Sequence, residues 1–200
     1  MKNLIWLIVL PALLVSPSLA GDSPIDQGSI RLGGTAFFMK LSGEFYGDDC
    51  DGVTAVTVIP AFEYFISPKL SLGFDMLYLN LSADSDYLDD EYDISGTGFG
   101  PTIGYYFGNI DSLQSYRGKI YPYVKGFFSF LSVEVNDYDG KMKSLGGKFG
   151  VNYLVTDYVI LDFGVRFSFD SIKVGRNGYY GDSQSGNNLW IGGGIFSAIW

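Results

Sequence analysis

The 200-residue sequence contains no histidine and a single cysteine. Without imidazole there is no His-ligated metal centre, no Ser-His or Cys-His nucleophile pair and no general base that titrates near neutrality. The lone Cys50 cannot close an intramolecular disulfide. Four neighbouring acids, Glu44, Asp48, Asp49 and Asp51, disfavour its thiolate, so it reads as a loop residue rather than a reactive thiol. Basic residues are also scarce. With 13 Lys and Arg against 22 Asp and Glu the net charge is −9, and a chain without clustered cations has no means of holding a nucleic-acid backbone. Charged residues make up only 18% and the mean hydropathy is +0.16, which excludes disorder. Length alone favours one domain.

Residues 1–20 read as a cleaved signal peptide: Lys2 is their only charge, an apolar run follows from Leu4 to Val15, and Ser18 and Ala20 stand at −3 and −1 to a cut before Gly21. The apolar stretch falls short of the roughly 20 residues of a spanning helix. The expected mature domain, 21–200, carries twelve basic against 22 acidic side chains, a net charge of −10, and has no long apolar run. Its 47% hydrophobic content must therefore be distributed in an alternating pattern or hidden in a folded core.

Alternation is what the chain shows. Over Tyr158–Ser171 one face is Val159, Leu161, Phe163, Val165, Phe167 and Phe169, and the other is Ile160, Asp162, Gly164, Arg166, Ser168 and Asp170. The segment before it sets Leu145, Gly147, Phe149, Val151 and Tyr153 against Ser144, Gly146, Lys148, Gly150 and Asn152, with Thr156-Asp157 as a tight turn between them. Segments near 29–40, 53–66, 69–82, 94–108 and 119–135 repeat the pattern. In 119–135 Tyr121, Tyr123 and Phe127 share the polar face. A last segment, 189–200, puts Trp190, Phe196, Ala198 and Trp200 on one face with Gly192 and Gly194, the weakest alternation of the eight. Eight strands close evenly and leave no edge exposed, so the expected fold is all-β, a closed antiparallel up-and-down barrel. Stretches 42–52, 83–93, 136–140 and 173–188 fall on one side as loops. Turns at 66–68 and 156–157 and a longer return at 109–118, with room for a short helical turn, fall on the other. Long loops at one end and short turns at the other suit a transmembrane barrel.

Periodicity does not say which face is inside. A water-facing surface is dense in charge, whereas here the polar face is Gly, Ser and Thr with one or two charges per strand. The bulky face is aromatic toward strand ends, as a lipid-facing surface requires. A soluble periplasmic lipid-binding barrel is the alternative.

The run Gly150-Val151-Asn152-Tyr153-Leu154-Val155-Thr156-Asp157 with the strand on to Phe169, the pair Gly104-Tyr105-Tyr106-Phe107 and Tyr121-Pro122-Tyr123-Val124, and the terminal Trp200 resemble the small outer-membrane β-barrel proteins of Gram-negative bacteria. That superfamily holds the OmpA membrane domain, OmpX, the opacity proteins and OmpW. The resemblance covers nearly all of the mature chain, and its motifs are those of an architecture and not of a subfamily. It implies residence in the outer membrane among phospholipid and lipopolysaccharide, and Trp200 as the residue read by the outer-membrane assembly machinery, with Ile199 making the ending more apolar than usual. Enzymes of the superfamily are expected to use a histidine, which is lacking here. No cofactor is expected, and a monomer is.

Two features are candidates for function. The charges expected inside the barrel are Arg31, Glu63, Asp75, Lys125, Lys148, Asp162 and Arg166; four basic and three acidic groups in a narrow lumen are expected to pair and stiffen it, a gated ion path being the alternative. Thirteen of the 22 acids fall in the four loops. The densest group, Asp84, Asp86, Asp89, Asp90, Glu91 and Asp93, offers hard oxygen ligands for Ca²⁺ or Mg²⁺ but lacks the Gly and terminal Glu of an EF-hand loop, so a solvated, repulsive rim is the plainer reading. The function expected is a non-enzymatic outer-membrane barrel with a structural or surface-interaction role. A narrow channel for ions or small apolar solutes, suggested by the OmpW-like look of 99–124, is the alternative.

Overall fold

The computed structural model describes residues 23–43, 53–83, 92–109, 115–135, 138–176, 179–180 and 183–200. The expected signal peptide and most of the acidic loops lie outside them. Eight long strands form the barrel: β1 (Ile30–Gly43), β2 (Val53–Ser67), β3 (Leu70–Ala83), β4 (Tyr92–Tyr106), β5 (Ile120–Val135), β6 (Tyr138–Leu154), β7 (Val159–Arg176) and β9 (Gln184–Ile199). The two-residue β8 (Tyr179–Tyr180) only extends the β7 ladder. Each long strand pairs antiparallel with its sequence neighbour, β7 with β9 directly, and β1 with β9 closes the sheet.

The strands run to 14–18 residues, whereas about 9–11 tilted residues cross a bilayer. The surplus replaces two of the expected loops. Val135 pairs with Tyr138, so 136–140 is largely strand, and within 173–188 β7 continues to Arg176 while β9 already begins at Gln184. The alternation persists through these extensions, which is why the ladder does too: Ile172 is buried between exposed Ser171 and Lys173.

At the other end the turns are local. Pro68 and Lys69 join β2 to β3, with Lys69 at φ 67°. The β6–β7 connection spans four residues, not two, because the Thr156 hydroxyl accepts the Tyr158 and Val159 N–H groups at 3.2 and 3.0 Å and holds the chain out of the ladder. Of the 109–118 return, residues 110–114, where a short helical turn had room, lie outside the described residues; its described end is a β-turn in which the Lys119 N–H donates to the Tyr116 carbonyl at 3.0 Å and Gly118 supplies the positive φ (79°) that a turn of type II needs at its third position.

Outward positions are apolar over the middle and turn end of the barrel and turn polar toward the loop end, as at Thr97, Ser132, Lys141 and Lys173; Phe163, Phe169 and Ile195 are 54%, 61% and 63% exposed. Tyr64, Tyr105, Tyr153 and Tyr158 ring the turn end of this belt, where amphipathic rings bridge hydrocarbon and water. No helix among the described residues is long and apolar enough to cross a membrane.

The lumen departs from the Gly, Ser and Thr interior that the strand pattern suggested. Inward positions at the loop end are apolar, with Phe37, Ile59, Leu77, Leu131, Met142 and Trp190 packed together. A second apolar layer fills the turn end, where Phe65, Tyr106, Leu154 and Phe196 meet Ile25 from the segment before β1 and Tyr116 from the 109–118 return. The long return thus tucks a tyrosine under the barrel. Strand β9 shows the reversal most clearly: Trp190, Phe196 and Ala198 face the lumen, while Leu189, Ile191 and Ile195 face outward.

Candidate functional site

Between the two apolar layers the structure brings together all seven charges expected inside. Period-two geometry puts Lys125 of β5, Lys148 of β6 and Arg166 of β7 side by side in one transverse row. Like charges directly opposite on neighbouring strands repel, and each is turned to a different carboxylate. Lys125 pairs with Glu63. Lys148 Nζ lies 2.6 Å from Asp162 Oδ2, and Arg166 Nη1 lies 3.0 Å from Asp75 Oδ2. Glu63 also accepts the Tyr106 hydroxyl and faces Arg31 Nη1 at 3.8 Å. Arg31 Nη2 donates to Asn152 Oδ1 at 2.6 Å, and Asn152 Nδ2 donates to Asp162 Oδ1 at 2.8 Å, which links the two halves of the network. Thr35 joins them as donor to Asp162 (3.2 Å) and acceptor from Lys148 (3.3 Å).

Aromatic faces complete the cage. The Arg166 guanidinium lies 3.5 Å from the Phe127 ring centroid and 5.0 Å from Trp190, Arg31 lies 4.9 Å from Tyr106, and Lys125 lies 4.9 Å from Tyr123. These quadrupole contacts strengthen as water is excluded. Arg166 Nε and Nη2 have no protein acceptor, so Asp75 and the ring faces are what hold this cation. The space left in the layer is about 10 Å³, room for about one water.

Four participants are not among the charges singled out from the sequence, although Asn152 and Asp170 stand on its polar faces. Thr35, Asn152 and Tyr106 carry no net charge, and only parity with Arg31, Lys148 and Gly104 marks them as inward. Asp170 is the fourth: buried on the face of Asp162 and Arg166, it accepts a hydrogen bond from Asn188. It brings the described lumen to four basic and four acidic side chains.

Of the acidic loop group, Asp84, Asp86, Asp89, Asp90 and Glu91 lie outside the described residues, and Asp93 falls within β4. Among the described residues no three His, Cys, Asp or Glu side chains are grouped to hold a metal ion. Trp200 stacks on Tyr158 (5.1 Å, 23°) and meets Tyr116 edge-on (5.7 Å, 82°), which pins the chain end to both neighbouring returns. In the turn between β6 and β7, Asp157 accepts the Tyr116 N–H at 2.6 Å and the Ser115 hydroxyl at 2.9 Å, and these bonds hold its carboxyl below its ordinary value.

No protein-family model matches the chain, and no curated protein matches it. Among solved structures it is similar to Neisserial surface protein A (TM-score 0.60, 19% identity, 86% of this chain and 99% of that one). It is also similar to the outer membrane protein OprG of Pseudomonas aeruginosa (TM-score 0.56, 14% identity, 90% and 99%). With sequence identity this low, what is shared is the architecture. The chain has the fold of the small eight-stranded outer-membrane β-barrels.

Proposed function

We propose that the protein is a non-enzymatic integral barrel of the Gram-negative outer membrane, closed to solutes, whose role is structural or is exercised by its acidic outward loops. The observation that carries this reading is the neutral, mutually paired charge layer sealed between two apolar layers. Passage would require separating buried ion pairs, and breaking one costs about 3–5 kcal/mol. The apolar outer belt supports membrane residence, since a soluble lipid-binding barrel would turn that face inward. On this reading residues 1–20 direct export, Trp200 is engaged by the assembly machinery, and the mature protein is a monomer surrounded by phospholipid and lipopolysaccharide.

The test is conductance of the purified protein in planar bilayers, alongside fractionation. Recovery in the outer-membrane fraction with no unitary conductance is the expected result. Steady ion-selective currents would replace this reading with the narrow channel, and recovery in the soluble periplasm would sink it.

A further inference from the structure

Between the two apolar layers, the three cations of the transverse row meet at the small cavity of about 10 Å³. Lys125 of β5, Lys148 of β6 and Arg166 of β7 line it, and Thr35 of β1 and Thr102 of β4 bring hydroxyls to it. Asp75 is the one carboxylate among the described residues of its lining, and its charge is spent on Arg166 Nη1 at 3.0 Å. Glu63 and Asp162, which pair with the two lysines, do not reach the cavity. The rest of its wall is aliphatic or aromatic.

Charge is out of balance around this space. The seven charges of the network are four cations and three carboxylates, so one positive charge is in excess there. Neutrality of the whole lumen depends on Asp170. That residue stands two inward rows nearer the loop end, in the row of Ser129 and Ser144, where it is bonded to Asn188 and makes no ion pair among the described residues. An excess charge sealed from water is costly unless a counter-ion offsets it.

The spare donors set the sign and size of that counter-ion. Arg166 is 1% exposed, and its Nε and Nη2 have no protein acceptor. The guanidinium rests on Phe127, 3.5 Å from the ring centroid, which occupies its face and leaves the in-plane N–H edge for another acceptor. Lys125 and Lys148 add ammonium groups of three donors each. A water among these groups must give its own hydrogens to Asp75 or a threonine oxygen, whereas a halide only accepts. Room for about one water admits a halide and excludes phosphate or a carboxylic acid.

We propose that the centre of the lumen holds a halide-sized monoanion such as chloride, with Lys125, Lys148 and Arg166 as its cationic donors and the Thr35 and Thr102 hydroxyls completing its shell. The inference rests on the closed-barrel reading, since the apolar layers that stop passage also keep the ion in place. It gives the charge layer a resident counter-ion and ties β1, β4, β5, β6 and β7 to one point.

The test uses purified protein unfolded in urea and refolded in detergent with bromide as the only halide. In crystals of that protein, a bromine anomalous difference map should show a peak at the lumen centre, beside Lys125 Nζ, Lys148 Nζ and the Arg166 guanidinium. In solution, with ionic strength held constant by gluconate, each tenfold rise in chloride above its dissociation constant should shift the unfolding equilibrium about 10-fold toward the folded state. Thr102→Val keeps every charge and should need about 10-fold more chloride for the same shift. Lys125→Met, which removes the excess cation, should lose both the peak and the chloride dependence. Lys119→Gln, exposed at the turn end, should keep both. Heat-modifiable gel migration checks that each variant is folded. A folded wild type with no lumen peak, or with equal stability in chloride and gluconate, would overturn the inference and leave the closed barrel standing. Unchanged signals in Lys125→Met, or in Thr102→Val where Lys125→Met does not fold, would overturn it as well. A steady chloride current in planar bilayers would instead remove the closed reading, and this inference with it.

Discussion

Glu63→Gln separates a dry, paired lumen from a wet one. Glu63 and Arg31 are each 2% exposed in their side chains, and the carboxylate serves Arg31, Lys125 and Tyr106 at once. At 3.8 Å and an effective dielectric of about 20, the Arg31 attraction alone is about 4 kcal/mol. Glutamine keeps the shape and an acceptor for the Tyr106 hydroxyl, so the substitution isolates charge. It leaves four cations facing three carboxylates in the described lumen, and the expected loss is about 3–5 kcal/mol. Glu63→Gln with Lys125→Met restores the balance at three and three and places a thioether among the Tyr106, Tyr123 and Phe196 rings that now surround the ammonium. It should recover at least half of that loss. The assay is the urea midpoint in liposomes, followed by heat-modifiable migration and tryptophan fluorescence. If both variants fall within about 1 kcal/mol of wild type, as exposed ion pairs do, the lumen is hydrated and the argument for a closed barrel fails. A double variant no more stable than the single would refute the role of charge balance.

Close strand approach gives a second test: a Cβ at inward Gly192 would overlap the Ala36 carbonyl oxygen, whereas one at outward Gly126 would meet nothing nearer than Ile103 Cγ2 at 3.7 Å. Gly192→Ala should therefore cost about 3 kcal/mol and Gly126→Ala no more than about 0.5 kcal/mol, read from the same urea midpoints. The turn end should be acid-labile. Because the folded Asp157 carboxyl is held low by the Tyr116 N–H and the Ser115 hydroxyl, its contribution is complete above the unfolded value and lost as pH falls through the folded one. Trp200 emission, measured in a Trp190→Phe background, should change over that acid range as Tyr116 leaves the indole. Asp157→Ala should show the acid-state emission already at neutral pH, and an unchanged titration in that variant would refute the assignment.

Strand number, pairing order and most facing assignments were legible because a barrel stave repeats every two residues and the sequence keeps that beat for a dozen residues at a time. Facing failed where both faces are bulky. In β9, Trp190 and Phe196 alternate with Leu189, Ile191 and Ile195, so hydrophobicity carries no sign, and only closure against β1 and β7 selects the inward set. The apolar layers were hidden for the same reason: Ile59, Phe65, Leu77 and Leu131 occupy inward positions in strands whose outward positions are equally apolar. Loop boundaries failed differently. Turn residues such as Asp139 mark where a chain is able to bend, but the ladder continues as long as its backbone groups find partners, and β6 finds them from Tyr138 onward. The seven lumen charges were found because a charge on an otherwise small-residue face has few other places to be. Asp170 lies on that same face, and the parity that located Arg166 locates it equally well.

That eighth charge bears on what the interior is for. A row of three cations on β5, β6 and β7 would, in an open channel, draw anions and remain largely unpaired so that ions could exchange along it. Here each cation of the row has its own carboxylate, reached across the barrel from β2 or β3 or held on β7 itself. The apolar layers above and below deny those pairs the water that would loosen them. The arrangement fixes the relative positions of β1, β2, β3, β5, β6 and β7 through side chains from opposite walls, a constraint that the backbone ladder between neighbours does not provide. Specificity of shape is therefore the property the lumen supplies.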